Sequence, residues 1–313
     1  MTQGGRHYAR HVKTAPLPPF KFSTMSSTLL LMLAICAVWL PALPRLPLGG
    51  RLTLALWFPL LVLAVLAGMF TGQLDATGAA GLALLAAAAW GTTHAPHAWQ
   101  RAALLAFTLL LALLLALHRW PGFHNVLVVP SAAITADARP FMLFANLDKG
   151  AAGLLLLALL APRIHAWREW RETIRRTLLP GAVTIVLVMA SGSLAGLVRP
   201  ALKWPDFTPQ FLAINLFLTV VAEEAFFRGL IQHRLQIALQ AVRGGTGLAL
   251  ILSALLFGAA HLGGGLAYAA LATVAGAGYG WVFLRSGRIE AAILLHFTLN
   301  AVHFLGFTYP ALA

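Results

Sequence analysis

The stretch VVAEEAFFRGLIQ, residues 220–232, places Glu223, Glu224 and Arg228 in a run that is otherwise almost wholly apolar. On a regular helix Glu224 and Arg228 stand at i and i+4 on one face, which suits a salt bridge that cancels charge and braces the helix against a neighbour. Glu223 lies one step, ~100°, around the axis and is left unpaired. Burial is what can turn such a carboxylate into a general base working near neutral pH. In LLFGAAHL, His261 ends an apolar run and is followed by Gly263, Gly264 and Gly265; taken alone, this fits an ordinary helix C-cap as well as it fits a functional imidazole. In LLHFTLNAVH, His296 and Asn300 are again i and i+4, and His303 follows three residues later. A polar stripe within an apolar span must face protein or water rather than lipid.

These stretches supply a carboxylate, two imidazoles and a carboxamide on three separate segments. Such parts can activate a water: Glu223 as base, a histidine to orient it, and donors for an oxyanion. Glu223, His261 and His296 could equally form a zinc ligand set, since catalytic zinc often takes two His and one Glu, although no HExxH is present. Residue chemistry alone leaves three classes open: a hydrolase, a proton-coupled transporter or channel, and a polar core with only a structural role. Ionisable groups inside a membrane are expensive, which favours the first two.

The elements that must carry these residues are apolar almost from end to end. Of 313 residues, 60% are hydrophobic and only 10% charged, and the mean hydropathy is +0.82. Apolar stretches recur at 25–43, 52–72, 77–91, 101–118, 141–161, 181–198, 210–232, 246–262, 265–284 and 289–307. A span needs ~20 apolar residues, so the expected fold is all-α: a polytopic transmembrane helical bundle of about eight spans with its active site between the C-terminal helices. The formal charge of +13 resides in segments flanking these stretches. That pattern fits topology and contact with the lipid bilayer, and excludes a nucleic-acid partner.

The basic residues Arg6, Arg10, Lys13 and Lys21, and the segment RIHAWREWRETIRR at 163–176, should both be cytoplasmic. Five candidate stretches lie between them where an even number is required. One of them therefore does not span, and the short Ala/Gly/Leu-rich 77–91 is the weakest. The single cysteine, Cys36, excludes an internal disulfide and a cysteine-based metal site. The LAI before it is reminiscent of a lipoprotein signal, but Ile35 stands where Gly or Ala is needed, so the stretch reads as a retained span. The expected divisions are a basic cytoplasmic tail (1–22), an N-terminal transmembrane bundle (23–162), a basic interfacial linker helix with Trp167 and Trp170 (163–179), and a catalytic transmembrane core (180–313). Residues 119–149 make the longest interruption, which suggests a task in the interface or a re-entry into the membrane.

EEAFFR, FGAAH and HFTLN, in this order on successive apolar segments, resemble the EExxxR, FxxxH and HxxxN motifs of the CPBP family. This is the group of intramembrane CAAX proteases and bacteriocin-processing proteins that includes the Ras-converting CAAX endopeptidase. The resemblance covers about residues 180–307. It implies an intramembrane endopeptidase in which Glu223 activates the water with help from His261, His296 and Asn300 polarise the scissile carbonyl, and Glu224 and Arg228 support the motif. His303 falls outside the motif and reads as a packed or supporting residue. The family has been described both as metal-dependent and as glutamic, and the metal-free mechanism is preferred here. It further implies a membrane-associated protein or peptide substrate, a CAAX-like or C-terminal sorting or maturation tail. The composition points to a bacterial cytoplasmic (inner) membrane with the N-terminus inside. The alternative is a proton-coupled transporter or bacteriocin-immunity protein that uses the same cluster.

Overall fold

The computed structural model describes residues 22–40 and 55–313. The tail 1–21, with the basic residues expected to set orientation, lies outside the described residues. In chain order the elements are α1 (Phe22–Ala37), α2 (Trp57–Phe70), α3 (Ala76–His94), α4 (Ala98–Ala116), β1 (Val126–Ala132), β2 (Phe141–Ala145), α5 (Leu147–Leu160) and α6 (Trp167–Leu194). They are followed by α7 (Thr208–Ala238), α8 (Gly245–Ala260), α9 (Leu266–Ser286) and α10 (Ile289–Gly306). The chain is thus mostly helical, and it departs from the all-α expectation in one place. Within 119–149, runs rich in β-branched and aromatic residues, VLVV and FMLF, pair as an antiparallel hairpin with Val126 opposite Ala145 and Ala132 opposite Phe141.

Among the described residues six helices, α3, α4, α6, α7, α9 and α10, are long and apolar enough to cross a membrane, where about eight spans are expected; α2, α8 and the described part of α1 are shorter apolar helices. The stretch 77–91, expected to be the weakest, lies within the 19-residue α3. The stretch 141–161 is the one cut short, because its first five residues pair as β2 and only 14 remain for α5. At 1.5 Å per residue α5 is ~21 Å long, less than the ~30 Å of a hydrocarbon core. It nonetheless lies deep in the bundle, with Leu147, Asp148 and the whole run Gly150–Leu157 buried.

Two local details fix the helices that carry the site. Pro180 lies inside α6, and the basic 163–176 region and the apolar stretch beginning at 181 form one continuous helix through it. Proline has no N–H for the carbonyl four residues back. That carbonyl, of Arg176, accepts from Nε of Arg285 on α9 at 3.3 Å, so the broken rung becomes an inter-helix tie. Glu169 adds a second tie, 3.0 Å to Arg288 ahead of α10. On the other side, α5 packs against α7 at Gly153: a Cβ there would stand 2.5 Å from the Cα of Ala222, a distance only glycine permits. A single apolar core joins residues of α1 to α5, such as Leu31, Leu85, Leu111 and Leu154, with Leu218, Tyr279 and Phe304 of the later helices.

Candidate active site

The EEAFFR segment lies in the middle of α7, but the helix is not regular there. Val221–Glu224 is a single α-helical turn between wider π-helical stretches, Asn215–Val220 and Ala225–Gln232. Such widened turns recur at functional sites because they re-aim side chains. The expected Glu224 to Arg228 bridge is present all the same, at 3.0 Å, and both side chains are fully buried. Arg228 reaches on to the Gly276 carbonyl of α9 at 2.8 Å. Its guanidinium carbon lies 4.6 Å from the ring centre of Phe257 and 5.2 Å from that of Tyr279. A cation sealed between aromatic faces gains from their quadrupoles as well as from its carboxylate.

His296 on α10 connects the two glutamates. Its Nδ1 lies 2.7 Å from Oε1 of Glu224 and its Nε2 lies 3.9 Å from Oε2 of Glu223. The ring stacks on Tyr279, centroids 4.4 Å apart and planes 14° from parallel, which fixes its plane. Because Glu224 accepts from Arg228, it is read as ionised. Nδ1 of His296 is then the donor to it, which turns Nε2 toward Glu223. A separation of 3.9 Å exceeds a direct hydrogen bond and suits a bridging water.

Glu223 is not the unpaired carboxylate expected. Its Oε1 lies 2.7 Å from Nζ of Lys149, a residue of α5, and each side chain is 16% exposed. The expectation failed because helical geometry within α7 says nothing about what a helix from the other half of the chain brings. The candidate residues read from the sequence all lie beyond residue 220, and Lys149, at the end of the long interruption, is not among them. The signal that could have found it is a cation in the first turn of an apolar helix, the end at which the helix dipole disfavours positive charge.

His261 is the C-terminal cap residue of α8, and its Nδ1 lies 2.7 Å from the Phe257 carbonyl. A carbonyl only accepts, so Nδ1 carries a proton, and in the neutral ring Nε2 holds the lone pair. The cap and the functional imidazole are therefore compatible in one residue. Two cavities meet at this histidine. One, about 140 Å³, lies among α4, α5 and α7 and is lined by Lys149, Glu223 and Phe226 as well as His261. The other, about 70 Å³, lies among α6, α9 and α10 and is lined by His261, Tyr268, His296 and Asn300. Asn300 donates from Nδ2 to Oδ1 of Asn215 on α7 at 3.2 Å, which leaves the second amide hydrogen for another acceptor. Asn215, Gly276 and Tyr279 were also not singled out from the sequence. His303 lines the second cavity too, but its Nε2 lies 3.2 Å from the Thr308 carbonyl and its ring packs against Tyr309.

Among the described residues no group of three or more His, Cys, Asp or Glu side chains is placed to hold a metal ion. Glu223, His261 and His296 are therefore not gathered as a ligand set in this arrangement, although the Nδ1 contacts of both histidines, to a carbonyl and to a carboxylate, are of the kind that orients a metal-binding imidazole.

No curated protein and no solved structure matches the chain. A match to a family model covers residues 205–302, from the loop before α7 to the last turns of α10, the segments that carry Glu223, Glu224, Arg228, His261, His296 and Asn300. Those residues form an Rce1-like domain of the type II CAAX prenyl endopeptidase family, which implies an intramembrane protease.

Proposed function

We propose that the protein is an intramembrane endopeptidase that hydrolyses a peptide bond with a water activated by Glu223. The observation that carries this reading is the position of His296, held by Glu224 at 2.7 Å through one nitrogen and facing Glu223 across 3.9 Å with the other. A water in that gap can donate to Oε2 of Glu223. Glu223 takes the proton while the water oxygen adds to the scissile carbonyl carbon; the C–N bond then breaks, and the proton returns to the departing amine. His261, with a free Nε2 at the meeting point of the two cavities, assists the same water. The spare amide hydrogen of Asn300 stabilises the oxyanion, joined by Nε2 of His296 when that nitrogen carries a proton in addition to the one on Nδ1.

A relay in a proton-coupled transporter or immunity protein would string its groups along the membrane normal. Here Glu223 and Glu224 both lie within 3.9 Å of the His296 ring nitrogens, which supports the hydrolase. The substrate is a membrane-associated protein or peptide whose extended tail lies across His261, with residues on either side of the scissile bond in the two cavities. The test uses the purified full chain, a fluorogenic farnesylated CAAX peptide and its unprenylated counterpart, in water enriched in 18O. We expect cleavage of at least one peptide, with a single 18O in the new carboxyl group; no cleavage of either peptide would count against the proposal. Cleavage of the unprenylated peptide alone would assign a sorting or maturation substrate.

A further inference from the structure

The ion pair that Lys149 makes with Glu223 is expensive where it stands. Two charges have been taken largely out of water, and the cation occupies the first turn of α5, where the helix dipole opposes it. Packing alone would be served as well by an apolar side chain, because the walls around the pair, Ala152, Ala222, Phe226 and Phe227, are apolar.

The structure also spends several contacts on keeping Lys149 in place. Asp148, its neighbour, is 1% exposed. Its carboxylate meets Nδ1 of His118 at 2.7 Å and Nδ2 of Asn125 at 3.0 Å, and it accepts from the backbone N–H of Lys149 at 2.8 Å. Asn125 in turn accepts from the backbone N–H of Leu147 at 2.8 Å. One residue, Asn146, separates β2 from α5, so the hairpin feeds straight into this turn. Further along, Gly153 lets α5 lie against Ala222, one residue before Glu223. The interruption at 119–149 thus ends in a braced turn whose ammonium meets the carboxylate proposed as the base.

We propose that Lys149 is a positioning residue of the reaction: its ammonium holds Oε1 of Glu223 so that Oε2 faces His296, and the 119–149 segment sets where that ammonium stands. The proposal rests on the protease reading. Lys149 acts through Glu223, holding it in one orientation while water and substrate exchange around it. The titratable and charged groups around Glu223 are Lys149 from α5, His261 from α8, Tyr268 and Tyr279 from α9, His296 from α10, Tyr309 after α10, and Glu224 and Arg228 on its own helix. Of these, Lys149 is the cation in direct contact.

Two measurements on the full chain test the proposal. A carbodiimide, which joins an amine to a carboxylate in contact, should give a Lys149 to Glu223 cross-link by mass spectrometry in the wild type; this requires no substrate. With whichever peptide the wild type cleaves, Lys149→Met should lower kcat by about 100-fold, as expected for a misplaced reacting group. KM should hardly change, because the interaction is not made to substrate. Lys149→Arg, which keeps the charge on a different geometry, should fall between the two. Methylammonium should restore part of the rate to Lys149→Ala at an ionic strength where sodium does not, a response that a purely structural residue would not give. The proposal is overturned by a missing cross-link, by wild-type kcat in Lys149→Met, or by a change confined to KM, which would make Lys149 a binding group for a substrate carboxylate. A wild type that forms the cross-link but cleaves neither peptide overturns the protease reading and the positioning role with it, leaving only an ion pair.

Discussion

Two carboxylates adjacent in sequence have opposite surroundings. Glu224 and Arg228 are sealed from solvent, tied to α9 through the Gly276 carbonyl and to α10 through His296, and flanked by Phe257 and Tyr279. Glu223 and Lys149 are each 16% exposed on the wall of a cavity of about 140 Å³. The first pair joins three helices of the C-terminal half; the second joins the two halves of the chain at the wall of that cavity. The contrast is the one the proposed roles require, a scaffold beside a reactive group: one carboxylate is fully enclosed, and its neighbour keeps an open side. The sealed pair is not fully satisfied, since among the described residues Oε2 of Glu224 and Nε of Arg228 have no hydrogen-bond partner. That is the kind of site at which an ordered water completes a buried network.

Breaking the sealed pair should have the largest effect. Arg228→Met leaves Glu224 as an unpaired buried charge, and we expect a loss of ~3–5 kcal/mol of stability, read by denaturation in detergent. Asn300→Ala, on the open side, should lower kcat by about 10²–10³ for one lost oxyanion donor, with the unfolding midpoint little changed. Gly153→Val probes the seam that brings Lys149 to Glu223. The added side chain meets backbone atoms of Ala222, so we expect ~1–3 kcal/mol of destabilisation from overpacking and a drop in cleavage larger than the unfolded fraction explains. The smallest effect should come from His303→Gln, a half-buried imidazole outside both pairs that hydrogen-bonds a backbone carbonyl. Its loss should change stability by no more than the ~0.5–1.5 kcal/mol of one net hydrogen bond and leave kcat near wild type.

How far these features could be read from the sequence depended on the range of the interaction. The Glu224 to Arg228 pair was legible because i, i+4 spacing brings side chains together on almost any helical backbone, here even on π-helical turns. The polar stripe of His296 and Asn300 was legible because apolar segments hold so few polar residues. Lys149 was missed because its meeting with Glu223 spans 74 positions and depends on a 14-residue helix whose placement follows from a hairpin and one glycine contact. The stretch 141–161 reads as one apolar run for a related reason: hydropathy alone cannot tell that FMLFA at 141–145 pairs as a strand and shortens the helix after it. The basic segment at 163–176 was read as a helix, but its continuation through Pro180 was not, because the partner that takes the freed carbonyl, Arg285, lies 109 residues away.

The division between the two glutamates is tested most directly by parallel measurement of cleavage and thermal unfolding in Glu223→Gln and Glu224→Gln. Glutamine nearly preserves shape while removing the charge. The account predicts that Glu223→Gln unfolds at or near the wild-type temperature while its cleavage falls by about 10²–10⁴, the contribution of a general base. It predicts that Glu224→Gln is measurably destabilised, because Arg228 is left without its counter-charge. Cleavage retained by Glu223→Gln, or a loss of stability in that variant as large as in Glu224→Gln, would contradict it.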